Sequence, residues 1–301
     1  MSLTAAGMSS ETVIRQVTQG VWIFSRPFAR YNVVPIGGRS TAIKLATGDV
    51  WVLASTPLTP ETKETIDAMG PVKWIMAADV VHHLFIDEFK ANYPEAKVIG
   101  VSGLEAKKQF KFDGLYGVDP ADTKYGFEPE IQACYFSGFK NRDVAFFHAP
   151  SKTLIEADLM MNLPPTEQYS KTNSTGKLPF VGDFISPWTN LQKRFLWSLG
   201  LDKEAMKRDA KTVAGWDFTR VIPCHGNVIE EKGKEAWREA YKWYLESNTT
   251  HTLSHLGFND SVSSSPLWKA AAILSIGFIE GAHSFSGHIL RVEPPKARSD
   301  F

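Results

Sequence analysis

Short apolar runs rich in Val, Ile, Phe and Trp recur along the chain, most bounded by Gly, Asp or Pro, and they constrain the fold more than any other feature. They cover residues 21–25, 40–45, 50–54, 73–77, 97–101, 144–148, 153–157 and 220–224. Each has the length of a strand rather than of a buried helix. Thr47-Gly48-Asp49 separates two of them as a hairpin turn would, and Asn141-Arg142-Asp143 makes a turn ahead of another. Helix signals lie between the later runs. Thr59 can cap a helix with Pro60 in its first position and Gly70 past its end. Ser102-x-x-Glu105 has capping-box spacing, and 233–245 carries Trp237, Tyr241, Tyr244 and Leu245 at helical spacing. Strands in hairpins, then strands alternating with helices, predict an α/β protein with a mixed sheet covered by helices.

Three runs end in groups that bind metals. Trp74-Ile-Met-Ala-Ala-Asp-Val-Val leads into His82-His83, Thr153-Leu-Ile-Glu-Ala into Asp158, and Arg220-Val-Ile-Pro-Cys into His225-Gly226. A sheet fixes each strand and leaves the following loop free to point inward, so ligand-binding groups gather beyond strand ends. Imidazole nitrogens and carboxylate oxygens suit zinc first, with iron or manganese as the other candidates. The expected ligands of one metal ion are therefore His82, His83, Asp158 and His225. Asp158, the only carboxylate in the set, is also the expected catalytic base. Each residue has a plainer reading as well. His82 or His83 could belong to a helix start that Asp79 caps, and Asp158 could be a turn residue. Asp87 could orient His83 but reads better as a solvated helix residue. Cys224 reads as a small buried hydrophobe. His148 reads as a histidine paired with a buried carbonyl.

From about Val17 to Leu245 the order of these elements resembles the metallo-β-lactamase superfamily. The family's motif H-x-H-x-D-H falls on Ala78-Asp79-Val80-Val81-His82-His83. Its two leading histidines correspond to Ala78 and Val80, and its Asp to His82. Its Pro-Gly-His motif falls on Ser137-Gly138-Phe139, its Gly-Asp on Ala157-Asp158 and its His-Gly on His225-Gly226. All three ligands peculiar to the family's first metal site are thus absent, while each second-site position keeps a metal-capable side chain. The resemblance implies an αββα sandwich and an atypical single-metal branch with an HHLF-type motif, His82-His83-Leu84-Phe85. It also implies metal-assisted hydrolysis of an ester, lactone or thioester. A non-hydrolytic redox enzyme and a catalytically silent binding protein are the rival readings, since fold does not fix function.

Charge narrows the partners. Lys plus Arg number 33 and Asp plus Glu 33, so no global field directs the chain to nucleic acid or an anionic membrane. A small-molecule substrate is expected. Two distant cysteines, Cys134 and Cys224, give no disulfide framework and fit a reducing compartment. The first residues lack a basic start with an apolar stretch behind it, and no apolar run reaches the roughly 18–20 residues of a spanning helix, so a cytoplasmic protein is expected. Three segments are expected: an arm over 1–16, the metallo-β-lactamase-like domain over 17–248, and an extension over 249–301 with one helix available for self-association. The stretch 161–188, rich in Pro, Ser, Thr and Gly, is expected to be a long functional or mobile loop, with Phe180, Phe184 and Trp188 walling a pocket.

Overall fold

Two sheets pack against each other through aromatic side chains. The computed structural model describes residues 11–177 and 185–246. Its elements in chain order are β1 (Val13–Thr18), β2 (Val21–Arg26), β3 (Ala29–Arg30), β4 (Val34–Pro35), β5 (Gly38–Lys44), β6 (Val50–Leu53), α1 (Pro60–Met69), β7 (Val72–Met76), α2 (Ile86–Asn92), β8 (Lys97–Val101), β9 (Gly114–Tyr116), β10 (Ile131–Tyr135), β11 (Val144–His148), β12 (Thr153–Glu156), α3 (Asn190–Leu199), α4 (Lys203–Gly215), β13 (Arg220–Pro223), α5 (Gly233–Ala240) and α6 (Lys242–Glu246). The first sheet runs β1-β2-β5-β6-β7-β8-β9, antiparallel up to β6 and parallel beyond it. The second runs β10-β11-β12-β13, with β12 and β13 parallel.

Alternation along the second sheet explains its two covered faces. Val144, Phe146, Ile155 and Ile222 join the core shared with the first sheet, where Phe146 meets Trp51 edge-on at 5.1 Å. Ala145, Phe147, Leu154 and Val221 face the other way, into a second core with α3, α4 and α5. Helices α1 and α2 contribute Ile66, Met69, Ile86 and Phe89 to the first core. The result is the mixed α/β architecture with covering helices that the patterning predicts, arranged as the sandwich that the resemblance implies.

All eight apolar runs are strands, and the Thr59 cap holds: its hydroxyl accepts from the Thr62 N–H. Other expectations change. The Ser102–Glu105 spacing caps no helix, because Glu105 instead accepts from the Gly103 N–H within a turn where Gly103 has φ +97°. His82 and His83 open no helix either, since α2 begins at Ile86. The helix expected over 233–245 breaks at Tyr241 into α5 and α6. The first strand starts at Val13, ahead of the boundary expected at residue 17. The expected helix and tail within 249–301 lie outside the described residues, as do Phe180 and Phe184. Among the described residues, no helix is long and apolar enough to cross a membrane.

Candidate metal centre

Strand register brings the donors together. β12 and β13 run parallel with Glu156 opposite Pro223, so Asp158 and His225 emerge side by side beyond one edge of the second sheet. The loop after β7 reaches them from the first sheet. It is tied down by hydrogen bonds from Val80 N–H to Asn141 O and from Val144 N–H to Ala78 O. Within this loop Asp79 is fully buried and acts as an internal brace. One of its oxygens accepts from the Val81 and His82 N–H groups at 2.7 Å, and the other accepts from the His82 ring at Nδ1, 2.9 Å away. His225 is braced in the same way by a backbone group, its Nδ1–H donating to Gly37 O at 2.6 Å.

These braces fix both tautomers. A carboxylate and a carbonyl can only accept, so each ring carries its proton on Nδ1 and presents a bare Nε2 when neutral. The two Nε2 atoms lie 3.1 Å apart, and Asp158 Oδ1 lies 3.3 Å from that of His225. Asp158 Oδ2 accepts from Asn141 at 2.6 Å, whereas Oδ1 is buried without a hydrogen-bond partner. At His225 Nε2 the lone pair therefore faces a second imidazole nitrogen and an unpartnered carboxylate oxygen, and only a cation or a proton can make that arrangement stable. Cys224 Sγ lies within 4.8 Å of both imidazole donors, and the thiol contacts Arg39 O at 3.5 Å.

The electrostatics agree with a site poised for positive charge. Burial opposes charge on the His82 ring, but the carboxylates of Asp79 and Asp158 outweigh it and hold the pKa well above the ordinary value. Burial likewise opposes an ionised Asp158, yet His82 and His225 hold its carboxyl far below the usual range. The Cys224 thiol, though buried, is drawn down to about 7 by His225 and His82. Behind these groups, burial first and then neighbouring carboxylates push Asp143 and Glu156 well above the usual range. Asp143 still orders the site, accepting from the Asp158 N–H at 2.6 Å.

Of the four expected ligands, His82 and His225 close up with Cys224 in one donor set, and His82 and Asp158 close up with Asp79 in another, while Asp158 Oδ1 also lies 3.3 Å from His225 Nε2. His83 is not among the gathered donors. While Asp79 holds both the backbone and the ring of His82, the His83 ring lies within electrostatic reach of Lys107 and Lys108. Burial and then these two ammonium groups lower the His83 pKa to about 4. The folded ring thus stays neutral between about 6.5 and 4, where the unfolded ring takes a proton. Stability present above pH 6.5 is lost as the pH falls through that window. Urea midpoints across it should fall more steeply for wild type than for His83→Gln, and equal slopes would contradict the placement.

Other sequence readings also shift. His148 stands at the far end of β11 and pairs with the Ser151 hydroxyl at 2.7 Å, not with a carbonyl. Asp87 pairs with Lys108. Trp188 is exposed. Ala78 and Phe139 are buried and Val80 packs against the first core, so these positions serve apolar packing.

No known sequence family matches the chain, and no curated protein matches it in sequence. Solved structures do match. The metallo-β-lactamase DIM-1, exposed to ceftazidime, superposes with a TM-score of 0.50 at 11% identity, covering 78% of this chain and 97% of that one. VMB-1 gives 0.50 at 14% identity, covering 78% and 99%. A metallo-β-lactamase from Erythrobacter litoralis, with β-mercaptoethanol in its active site, gives 0.51 at 11% identity, covering 79% and 98%. The chain has the metallo-β-lactamase fold. Identities this low carry the fold and nothing finer.

Proposed function

We propose that the chain is a single-metal hydrolase whose ion is held by His82 Nε2, His225 Nε2 and Asp158 Oδ1. The observation that carries this reading is the buried, partnerless Asp158 Oδ1 facing a bare His225 Nε2 at 3.3 Å. The two imidazoles fit a zinc-sized ion. Two nitrogens at the usual zinc distance on adjacent tetrahedral positions are about 3.3 Å apart, and the two Nε2 atoms here are 3.1 Å apart. An ion in this place supplies Lewis-acid polarisation of a carbonyl and makes water acidic enough to attack near neutral pH.

The chain's own residues do the rest. Asp79 and Gly37 O orient the two imidazoles, which is the part outer hydrogen bonds play around metal ligands. Asn141 holds Asp158 by one oxygen and leaves the other toward the shared space. Two imidazoles and one carboxylate leave a coordination position open, as catalytic sites require, whereas a fourth protein ligand would close it. An ester, lactone or thioester is the substrate class this chemistry serves. Because the same three donors also suit iron(II), the bound metal separates hydrolysis from redox chemistry. The test is elemental analysis of gently purified protein, followed by turnover assays on esters, lactones and thioesters. About one equivalent of zinc per chain with turnover of one class is expected. Full zinc loading with no turnover of any class would overturn the hydrolase reading.

A further inference from the structure

The stretch after β12 was expected to be a functional or mobile loop, but its described part is bound tightly around the peptide that carries His225. Asn162 N–H donates to His225 O at 3.2 Å, and Asn227 N–H donates to Asn162 O at 2.8 Å. The Asn227 side chain donates to Pro164 O and accepts from the Glu167 N–H. Glu167 pairs with the buried Arg39, which also donates to Pro223 O. At the centre is Gln168, fully buried. Its Nε2–H donates to Cys224 O at 2.8 Å and its Oε1 accepts from the Gly226 N–H at 3.0 Å. One amide thus grips the peptide groups on both sides of His225.

Gly37 is shaped to admit that grip. Its carbonyl accepts from His225 Nδ1, its φ is +70°, and a Cβ on it would sit 1.9 Å from Gln168 Oε1. Only glycine both adopts this backbone and leaves room for the amide. The sequence places Gln168 in a polar stretch 57 positions before His225, with no local pattern to link the two.

We infer that Gln168 is the positioning residue for His225: it fixes the peptide so that the ring keeps Nδ1–H on Gly37 O and turns Nε2 to the shared space. The metal-affinity part of the inference rests on the proposed metal site, and the ring-orientation part does not. Gln168→Met keeps the length of the side chain and removes both hydrogen bonds. With native circular dichroism retained, zinc affinity should fall about 10–100-fold, as for other outer supports of metal ligands. In metal-free protein under alkaline conditions, the 15N resonances of the His225 ring should change from one Nδ1–H tautomer to a mixture. Gly37→Ala, which displaces the amide without deleting it, should move both readouts the same way and serves if Gln168→Met does not fold. Tyr244→Phe, which removes a buried hydrogen bond to Leu196 O in α3, should move neither. A Gln168→Met protein that is less stable to urea but has wild-type zinc affinity and a wild-type ring tautomer would overturn the inference. If wild type binds no zinc, the metal reading fails on its own, and the tautomer measurement still decides the role of Gln168.

Discussion

Purified His225→Ala should lose nearly all of the metal that wild type carries, and His82→Ala should do the same. His83→Ala should stay close to wild type. The physical basis is the shared space: the two Nε2 atoms lie 3.1 Å apart, and in the neutral ring each is an acceptor by virtue of its Nδ1 partner. Removing either ring leaves one imidazole and one carboxylate, too few donors to hold a divalent ion against water. His83 supplies no donor to this space, so its loss changes the surroundings of Lys107 and Lys108 and leaves the centre intact. Loss of metal in His83→Ala with retention in His82→Ala would reverse the assignment. Metal content by elemental analysis reads this directly. Two equivalents in wild type would contradict the single-ion reading.

This outcome bears on how much of the centre the sequence could show. His82, Asp158 and His225 were legible because each follows an apolar run, and a strand end is where a sheet presents polar groups. What the sequence could not show is the direction of a side chain inside a turn. His82 and His83 are adjacent and chemically identical, and they separate only because Asp79 takes both the backbone and the ring of His82. Asn141 and Cys224 were hidden for a related reason. Asn141 sits in a turn triplet whose turn signal was read correctly, while its bond to Asp158 is a tertiary event. Cys224 shares the run that ends at His225, and nothing in a run tells a packed thiol from one whose sulfur lies within 4.8 Å of two imidazoles.

The fold divides along the same line. Central strands such as β6, β11 and β12 are buried on both faces and read as continuous apolar runs. The edge strands β1 and β10 carry Arg15, Gln16 and Gln132 among their apolar residues, so no run marked them. Their pairing partners define them instead. The capping-box pattern at Ser102 failed because a local carboxylate-to-backbone bond is compatible with a tight turn as well as with a helix.

Asp158→Asn is expected to lower turnover about 10²-fold or more and to lower metal affinity with it, because the substitution removes the only carboxylate among the proposed ligands. More than charge is lost. Asn141 donates from Nδ2 to the Oδ2 position at 2.6 Å, so an amide at residue 158 must place its carbonyl oxygen there. Its NH2 then takes the Oδ1 position, 3.3 Å from His225 Nε2, and donates to the lone pair the ion needs. Shape is kept while an acceptor becomes a donor, so the site should close to metal without unfolding. Cys224→Ser, measured beside it, separates an open centre from a closed one. The thiol already contacts Arg39 O, and a site with three ligands should keep its metal and its turnover when the sulfur is replaced. Loss of the ion in Cys224→Ser would make the thiolate a fourth ligand and the centre a structural one. Full metal and full activity in Asp158→Asn would remove Asp158 from both the ligand set and the chemistry, and the convergence of lone pairs at His225 would then have to be satisfied by a proton alone.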